Sequence, residues 1–401
     1  MVLVRGPESV YTAANRARHR SIKRSAGLAR DLHLAYSGMF AEEKPARSAQ
    51  YCVKVAPSQA SSTSASTPAT FPTTSASAEV PIATGGTNAT SPFKLAQSYE
   101  GSTFFNGWSF FSYADPTAGT VQYVDSGIAQ SGNLTEINSA GNAVMRVDTT
   151  PQITSGFRKS VRIQTNFSYN VGTVMIMDSV HMPTGCGTWP AFWSNGPNWP
   201  AGGEIDIVEG VNTYTNNQAT LHTNAACTLP SNNSSTLGIA GGLVGGTDCS
   251  VADTGDAGCG IRASDPTSFG APFNNVGGGV YAMQWLTSGI SVHFFPRSAI
   301  PADITAGVLQ PSTWGMPMAS FPASSCNPST SFYDHSAIFD TTLCGAWAGT
   351  GWYDTSAPGQ SVSCAVSTGT SSCEAYVQNN GAAFSEAYWE VKSVKIYELS
   401  S

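Results

Sequence analysis

The stretch Gly202–Gly210 constrains this chain more than any other, because it concentrates carboxylates among β-branched residues. It reads Gly-Gly-Glu-Ile-Asp-Ile-Val-Glu-Gly and contains Glu204, Asp206 and Glu209. This alternation predicts a half-buried strand on which Glu204 and Asp206 share one face. Glu209 falls on the opposite face of a regular strand. We therefore expect a β-bulge near Ile207–Val208, which would return Glu209 to the face of the other two acids.

Three neighbouring carboxylates are energetically unfavourable unless the chemistry of the site uses them. Two like charges about 4 Å apart repel each other by roughly 4 kcal/mol at an effective dielectric of about 20. Cleavage of a glycosidic bond uses such a pair, since one carboxylate attacks the sugar and one carboxylic acid donates a proton. Repulsion from the neighbouring acid keeps the proton donor protonated near neutral pH.

Two other interpretations of the triplet stay open on the pattern alone. A solvated strand face can carry three acids by chance, although only 26 of the 401 residues are acidic. Clusters of carboxylate oxygens also bind calcium or magnesium, but this stretch lacks the Asp/Asn-rich spacing of a calcium loop. The sequence therefore predicts no metal site and no cofactor.

The acidic stretch resembles the active-site signature of glycoside hydrolase family 16. Three other segments resemble the fungal endo-β-1,3(4)-glucanases of that family, the laminarinases; they are residues 181–193, 220–223 and 338–347. The resemblance extends from about Phe93 to the C-terminus. It implies an all-β fold, namely a concanavalin-like β-jelly-roll sandwich of two curved antiparallel sheets with an open glycan cleft. It also implies a retaining mechanism.

The same resemblance implies roles for the three acids. Glu204 corresponds to the nucleophile and Glu209 to the general acid/base. Asp206 corresponds to the residue that holds Glu204 in place and modulates its ionisation.

Five further residues are predicted to bind substrate: Arg162, Trp193, Trp199, His222 and Trp285. Aromatic faces suit the apolar faces of sugar rings, but each tryptophan is equally consistent with a place in the core. A lone strand histidine is more often structural than catalytic, whereas the resemblance implies contact with the sugar or the acids. Arg162 resembles an arginine near the nonreducing side of the family's cleft.

Composition agrees with a β-rich, turn-rich chain. Charged residues make up 11% of the sequence, and 40 glycines and 23 prolines supply turns. Short β-like runs alternate with turn residues at roughly ten-residue intervals, as in a sandwich. Two such runs flank Thr287-Ser288-Gly289 and predict a hairpin, and residues 387–397 predict a final strand that closes the sandwich.

Charge and hydropathy exclude two classes of partner. The net charge is −7, and no basic face is evident outside the first thirty residues, so nucleic-acid binding is not expected. No apolar stretch is long enough to form a membrane-spanning helix. We also expect the protein to be a monomer.

The cysteines indicate an oxidising compartment. Eight of the nine fall between Cys186 and Cys373, and they form no zinc-type pairs. We predict the local disulfides Cys249–Cys259 and Cys364–Cys373, within long surface loops. Five Asn-x-Ser/Thr sequons would lie on the surface if glycosylated: Asn88, Asn133, Asn166, Asn232 and Asn233.

Three regions are predicted along the chain. Residues 1–50 carry a basic cluster with no apolar run of signal-peptide length, and we interpret them as a pro-segment. Residues 51–90 form a Ser/Thr/Pro-rich linker that lacks the apolar residues needed for a core. Residues 91–401 form the catalytic domain.

The predicted function is a secreted endo-β-glucanase that acts on internal β-1,3 bonds, and also on β-1,4 bonds of mixed-linkage glucans. A cell-wall glucan transglycosylase is the alternative, although relatives of that kind resemble a shorter Glu-x-Asp-x-Glu signature. A jelly roll that only binds glycan is the third interpretation, and the intact acid triplet argues against it.

Overall fold

The computed structural model describes residues 90–400. The predicted pro-segment (residues 1–50) and almost all of the predicted linker (51–90) lie outside the described residues, as do Cys52 and the sequon at Asn88.

Within residues 90–400, sixteen of eighteen strands form two eight-stranded antiparallel sheets. The first sheet has the order β16-β15-β14-β8-β18-β5-β4, with β1 paired to β18. Its strands are β1 (Phe93–Glu100), β4 (Thr135–Ile137), β5 (Ala143–Arg146), β8 (Thr173–His181), β14 (Gly279–Leu286), β15 (Gly289–Pro296), β16 (Ala319–Pro322) and β18 (Tyr388–Leu399).

The second sheet has the order β12-β13-β11-β10-β9-β17-β7-β2. Its strands are β2 (Trp108–Phe110), β7 (Arg162–Thr165), β9 (Thr188–Asn195), β10 (Glu204–Glu209), β11 (Gln218–His222), β12 (Gly242–Val244), β13 (Cys259–Arg262) and β17 (Ser336–Leu343). A small parallel pair is formed by β3 (Val121–Tyr123) and β6 (Arg158–Ser160).

The helices of the described part are short, from four to seven residues, and lie in the connections: Ser126–Ser131, Ser234–Leu237, Val251–Thr254, Gly270–Asn275, Ala302–Ala306, Pro328–Ser331, Gly345–Ala348, Cys364–Thr368 and Cys373–Asn379. None of the helices between residues 90 and 400 has the length and apolar character needed to cross a membrane.

The two sheets enclose the main core, which confirms the predicted all-β sandwich. Phe192 of β9 stacks on Phe339 of β17 with ring centroids 4.4 Å apart. Phe339 in turn meets Trp389 of β18, in the other sheet, edge-on at 5.2 Å. Full burial of such a side chain contributes roughly 1.5–3 kcal/mol. These aromatic contacts fix the second sheet over the first, so the opposite face of the second sheet remains available for a site.

Two strand predictions can be compared with the sheet topology. The predicted hairpin is confirmed, since β14 and β15 pair from Leu286↔Gly289 outward through a two-residue turn. The predicted final strand is present as β18, but it lies inside the first sheet, between β8 and β5. Its alternating apolar residues face the core, and its backbone pairs with a strand on each side.

Four disulfides tie the connections to the sheets: Cys186–Cys364, Cys227–Cys326, Cys249–Cys259 and Cys344–Cys373. The predicted Cys249–Cys259 bond is confirmed. The predicted Cys364–Cys373 bond is wrong, because each of these residues begins its own short helix after a serine N-cap. Each helix is anchored to a different strand of the second sheet, through Cys186 before β9 and through Cys344 after β17.

The long-range disulfide is expected to stabilise the fold more than the local one. Cys186–Cys364 spans 178 residues of sequence and Cys249–Cys259 spans 10. Loop-closure entropy assigns them about 5 and about 3 kcal/mol, respectively. Replacing Cys186 and Cys364 by serine should therefore lower the free energy of unfolding more than the matched serine pair at 249 and 259. Chemical denaturation of both variants measures the difference, and the reverse order would contradict this prediction.

Candidate active site

The bulge that the sequence predicts in β10 is present. Asp206 lies opposite Trp193 and Glu209 lies opposite Ala191 of β9, so three steps along β10 match two steps along its neighbour. The same shift occurs against β11 on the other side. The extra residue returns Glu209 to the face of Asp206, while Ile207 is buried in the core.

The acids meet a histidine from the neighbouring strand. Glu204 of β10 is the register partner of His222 of β11. One potential ligand atom from each of Glu204, Asp206 and His222 lies within 4.8 Å of the others. The His222 Nε2 is 3.3 Å from Asp206 Oδ2, and its Nδ1 is 3.3 Å from Asp256 Oδ1.

Among the residues that the structure describes, these three are close enough together to hold a metal ion. A proton on the ring competes with this use. Burial alone would lower the pKa of His222, but the contacts with Asp206 and Asp256 outweigh it and hold the pKa well above its usual value. A protonated ring has no lone pair to offer a metal ion.

Two tryptophan indoles donate hydrogen bonds to the outer acids. Trp189 of β9 donates its Nε1–H to Glu209 Oε1 at 2.9 Å. Trp199 donates its Nε1–H to Glu204 Oε2. An N–H donor favours the ionised form of a carboxyl group. Each glutamate therefore has a fixed neighbour that orients its carboxyl group.

The loop that carries Trp199 is closed by a close backbone approach. The N–H of Gly196 donates to the carbonyl of Gly203 at 3.0 Å. A Cβ on Gly202 would lie 2.5 Å from the carbonyl carbon of Gly196, so the two chains approach this closely only without side chains. Gly203 also has a φ of +77°, which favours glycine. The glycines before Glu204 thus set the start of β10 and the position of the indole.

Burial and mutual repulsion raise the pKa values of both glutamates. Burial and the charge of Asp206 raise the pKa of Glu204 well above its usual value, and the charge of His222 opposes them. Burial and Asp206 also raise the pKa of Glu209 to about 8, against the hydrogen bond from Trp189. Groups this close titrate as one coupled system. The site therefore retains protons near neutral pH that isolated carboxyl groups would lose.

Arg162 of β7 lies farther along the same face of the sheet. Its guanidinium carbon is 4.9 Å from the ring centre of Trp193 and 4.4 Å from that of Phe111. Trp193 donates its Nε1–H to Asp340 Oδ2 at 2.9 Å. Burial raises the pKa of Asp340 to about 7, and the charge of Arg162 opposes the shift. Trp193 is thus held between a cation and a carboxyl group.

A polar cavity of about 450 Å³ opens next to the strand that carries the acids, although none of the three acids lines it. This volume lies within the range of roughly 300–1,000 Å³ typical of small-molecule sites. Asn195 of β9, the register partner of Glu204, lines it. The other lining residues are Gln164, Ser168, Gly196, Pro197, Asp334 and Ser336.

Trp285 does not belong to this face, and its predicted contact with substrate is corrected. The residue is 0% exposed, and its indole donates to the carbonyl of Pro328 at 3.1 Å. Its ring packs against Tyr169 and His335 inside the sandwich. Alternation in β14 turns Trp285 towards the second sheet, and the strand pattern alone could not distinguish that face from the outer one.

Three residues of the site had no assigned role in the sequence prediction: Trp189, Asp340 and Asp256. Strand alternation in β9 places Trp189 on the face of Trp193, so a signal for it was present. Asp340 lies within residues 338–347, which resemble the glucanases, so that resemblance could have indicated a role for it. Asp256 belongs to a loop, and the sequence gives no sign that it meets His222.

The family of the chain follows from comparison with known proteins. A family model described as an XgeA-like, catalytic GH16 domain matches residues 108–397. The chain therefore belongs to glycoside hydrolase family 16.

Curated relatives agree with this assignment. The endo-1,3(4)-beta-glucanase xgeA of Emericella nidulans is 41% identical over 318 residues, covering 79% of this chain and 49% of that protein. A probable glycosidase of Schizosaccharomyces pombe is 41% identical over 309 residues, covering 76% of this chain and 69% of that protein. The chain spans about half the length of most of the curated glucanases it matches.

Two solved structures share the fold. Laminarinase 16A of Phanerochaete chrysosporium, with 6-O-glucosyl-laminaritriose in donor and acceptor sites, is 38% identical with a TM-score of 0.68. An elongating GH family 16 beta-1,3-glucosyltransferase is 40% identical with the same TM-score of 0.68. Each comparison covers 76% of this chain and 99% of the other.

The core position of Trp285 can be tested through stability. Trp285→Phe should lower the free energy of unfolding by about 1–3 kcal/mol, because the carbonyl of Pro328 loses its buried partner and a void remains. Trp199→Phe is the matched control, since Trp199 is 43% exposed and its loss should cost less. Thermal or chemical denaturation measures both. Equal losses of unfolding free energy in the two variants would contradict the core position of Trp285.

Proposed function

We propose that this protein is an endo-β-glucanase that hydrolyses internal β-1,3 bonds of glucans, and β-1,4 bonds in mixed-linkage chains. The observation that carries the proposal is the bulge in β10, which brings Glu209 to the face of Glu204 and Asp206. Membership of glycoside hydrolase family 16 and the names of its relatives support the substrate class. β-Glucan is therefore the proposed partner.

In the proposed mechanism Glu204 attacks the anomeric carbon of the bound sugar. The charge of His222 and the indole of Trp199 stabilise the Glu204 carboxylate that this step requires. Glu209, protonated, gives its proton to the leaving glycosidic oxygen. A covalent glycosyl-enzyme forms, and the configuration at the anomeric carbon is inverted once.

In the second step Glu209, now ionised, takes a proton from a water molecule. That water attacks the anomeric carbon, and Glu204 leaves with its charge restored. The second inversion gives overall retention. Asp206 contacts His222 and raises the pKa values of both glutamates, and we propose that it sets their order of ionisation.

Substrate is proposed to lie along the face that carries Arg162, Trp193, Trp199 and His222. Trp199 is 43% exposed, so an indole face is open to a sugar ring. The cavity beside Asn195 offers amide, hydroxyl and carboxyl groups to sugar hydroxyls. This face continues across β17 and β7, which suits a linear polymer.

Glycosyl transfer is the second candidate function. It differs only in the second step, where a sugar hydroxyl replaces water. The structural likeness to an elongating beta-1,3-glucosyltransferase at 40% identity supports this candidate. The ratio of transfer products to hydrolysis products at high oligosaccharide concentration distinguishes the two.

We also propose that the protein acts outside the cell as a monomer and binds no nucleic acid. The four disulfides are typical of an oxidising compartment. The sequon residues Asn133, Asn166, Asn232 and Asn233 are all exposed, so each is accessible to glycosylation. The net charge of −7 disfavours contact with a phosphate backbone.

Product analysis on three polymers tests the function. We expect oligosaccharides from laminarin and lichenan and none from a β-1,4-only glucan. Glu204→Gln should lower turnover at least about a thousandfold, since the uncharged amide is a poor nucleophile. The variant should retain affinity for laminarin. A wild-type protein that binds laminarin without releasing products would show that the chain is a glycan-binding module.

The pH dependence of turnover should be bell-shaped, with an alkaline limb near pH 8. Glu209 must be protonated to act as an acid, and its pKa is raised to about 8, so activity falls as the pH rises through that value. The hydrogen bond from Trp189 favours the ionised form of Glu209. Trp189→Phe should therefore move the alkaline limb upward by about one pH unit.

Trp314, which lies outside the site, provides a matched control for this variant. Trp314 donates its Nε1–H to Asp303 Oδ2 at 2.8 Å, so it forms the same kind of pair outside the site. Trp314→Phe should leave the limb unchanged. A downward shift with Trp189→Phe would contradict the assignment of Glu209 as the acid.

A further inference from the structure

A disulfide-closed loop covers the histidine of the site. The loop runs from Cys249 to Cys259 and contains the short helix Val251–Thr254. After the helix the backbone adopts positive φ at Gly255 (66°), Asp256 (73°) and Gly258 (60°). These turns bring the end of the loop back to β13, next to β11. The loop therefore lies directly over the end of β11 that carries His222.

The contact between this loop and the ring leaves no space. A Cβ on Gly258 would lie 2.9 Å from both Cε1 and Nδ1 of His222. The backbone at Gly258 thus packs against the imidazole edge, and the ring cannot turn towards the loop. The position of the ring is set by the loop as much as by its own strand.

Asp256 supplies a second carboxylate to the same ring. Its Oδ1 lies 3.3 Å from Nδ1, while Asp206 Oδ2 lies 3.3 Å from Nε2. Neither contact has the alignment of a hydrogen bond, so both are ionic contacts. The side chain of His222 is 12% exposed and that of Asp206 is 3% exposed, whereas that of Asp256 is 55% exposed.

Two carboxylates on opposite nitrogens select the charged ring. A neutral imidazole has one N–H and one lone pair, so the nitrogen with the lone pair would repel the carboxylate oxygen 3.3 Å away. The imidazolium has an N–H on both sides. The groups that act on the ring are Glu204 and Asp206 from β10 and Asp256 from the loop, and the charge of the ring also reaches Glu209. The neighbouring Cys259 is disulfide-bonded and does not titrate.

We propose that Asp256 is a positioning residue that keeps a proton on His222 and thereby keeps Glu204 ionised. One proton can lie on the imidazole, which leaves Glu204 charged, or on Glu204, which leaves the imidazole neutral. The charge of Asp256 is in contact with the ring and acts on Glu204 only from a distance. The attraction of Asp256 to the charged ring is therefore stronger than its repulsion of the Glu204 carboxylate, and the net effect favours the first arrangement. The inference rests on the proposed function, because it assigns Glu204 the role of nucleophile.

The Asp256→Asn variant removes the charge without disturbing the loop. Asparagine tolerates positive φ, so the backbone at residue 256 is retained. Asp253→Asn is the matched control, since Asp253 is an exposed acid of the same loop with no ionic partner among residues 90–400. Asp256→Gly, which also accepts positive φ, serves if the first variant fails to fold.

The first readout is the titration of His222 by NMR with ¹³C-labelled histidine, its signal assigned with His222→Gln. In Asp256→Asn the titration midpoint of His222 should fall by about 0.5–1 pH unit relative to wild type and Asp253→Asn. An unchanged midpoint would overturn the inference. This readout does not need substrate, so it stands even if the proposed function fails.

The second readout is the pH profile of laminarin hydrolysis. In Asp256→Asn kcat near neutral pH should fall by about three- to tenfold, because less of the enzyme then has its proton on His222 and Glu204 ionised. The acidic limb should not move upward, since the charge of Asp256 itself raises the pKa of Glu204. KM should change less than twofold. A loss that is uniform across the pH range, or equal to that of Asp253→Asn, would mark Asp256 as merely structural. Wild-type protein without any turnover would instead reject the proposed function.

Discussion

Repulsion between carboxyl groups on one strand is the constraint on which the site depends. The bulge at Ile207 brings Glu209 to the face of Glu204 and Asp206, and each charge then raises the pKa of its neighbours. Such a cluster of buried acids is stable only where positive charges or hydrogen-bond donors offset the repulsion. His222 supplies a positive charge, and the indoles of adjacent elements supply N–H donors. The strands β9, β10 and β11, which carry the acids, Trp189 and His222, are paired side by side in one sheet.

The core explains why the acids can be held so closely. Ile205, Ile207 and Val208 are fully buried between the sheets, so β10 cannot slide or flatten without exposing them. The bulge places two consecutive apolar residues towards the core, where a regular strand would place one. Burial of that extra side chain offsets part of the cost of gathering the acids. The packing of the core and the arrangement of the acids are therefore one feature of the structure.

Membership of glycoside hydrolase family 16 gives the arrangement its chemical meaning. Hydrolysis and glycosyl transfer both fit two glutamates with shared protons, since they differ only in the acceptor. We propose that the face that holds Arg162 and Trp193 binds the sugar chain. The loop closed by Cys249–Cys259 acts on the electrostatics of the site from the opposite side. In this proposal substrate binding and proton placement use different parts of the same sheet.

The sequence by itself determined the sandwich, the bulge in β10 and the Cys249–Cys259 bond, because each follows from local alternation, spacing or chain proximity. It did not determine which face Trp285 occupies, that Cys364 pairs with Cys186, or that Asp256 meets His222. Those contacts join residues whose distance along the chain says nothing about their distance in space. Only the packing of the two sheets and the path of the loops between them decided these contacts.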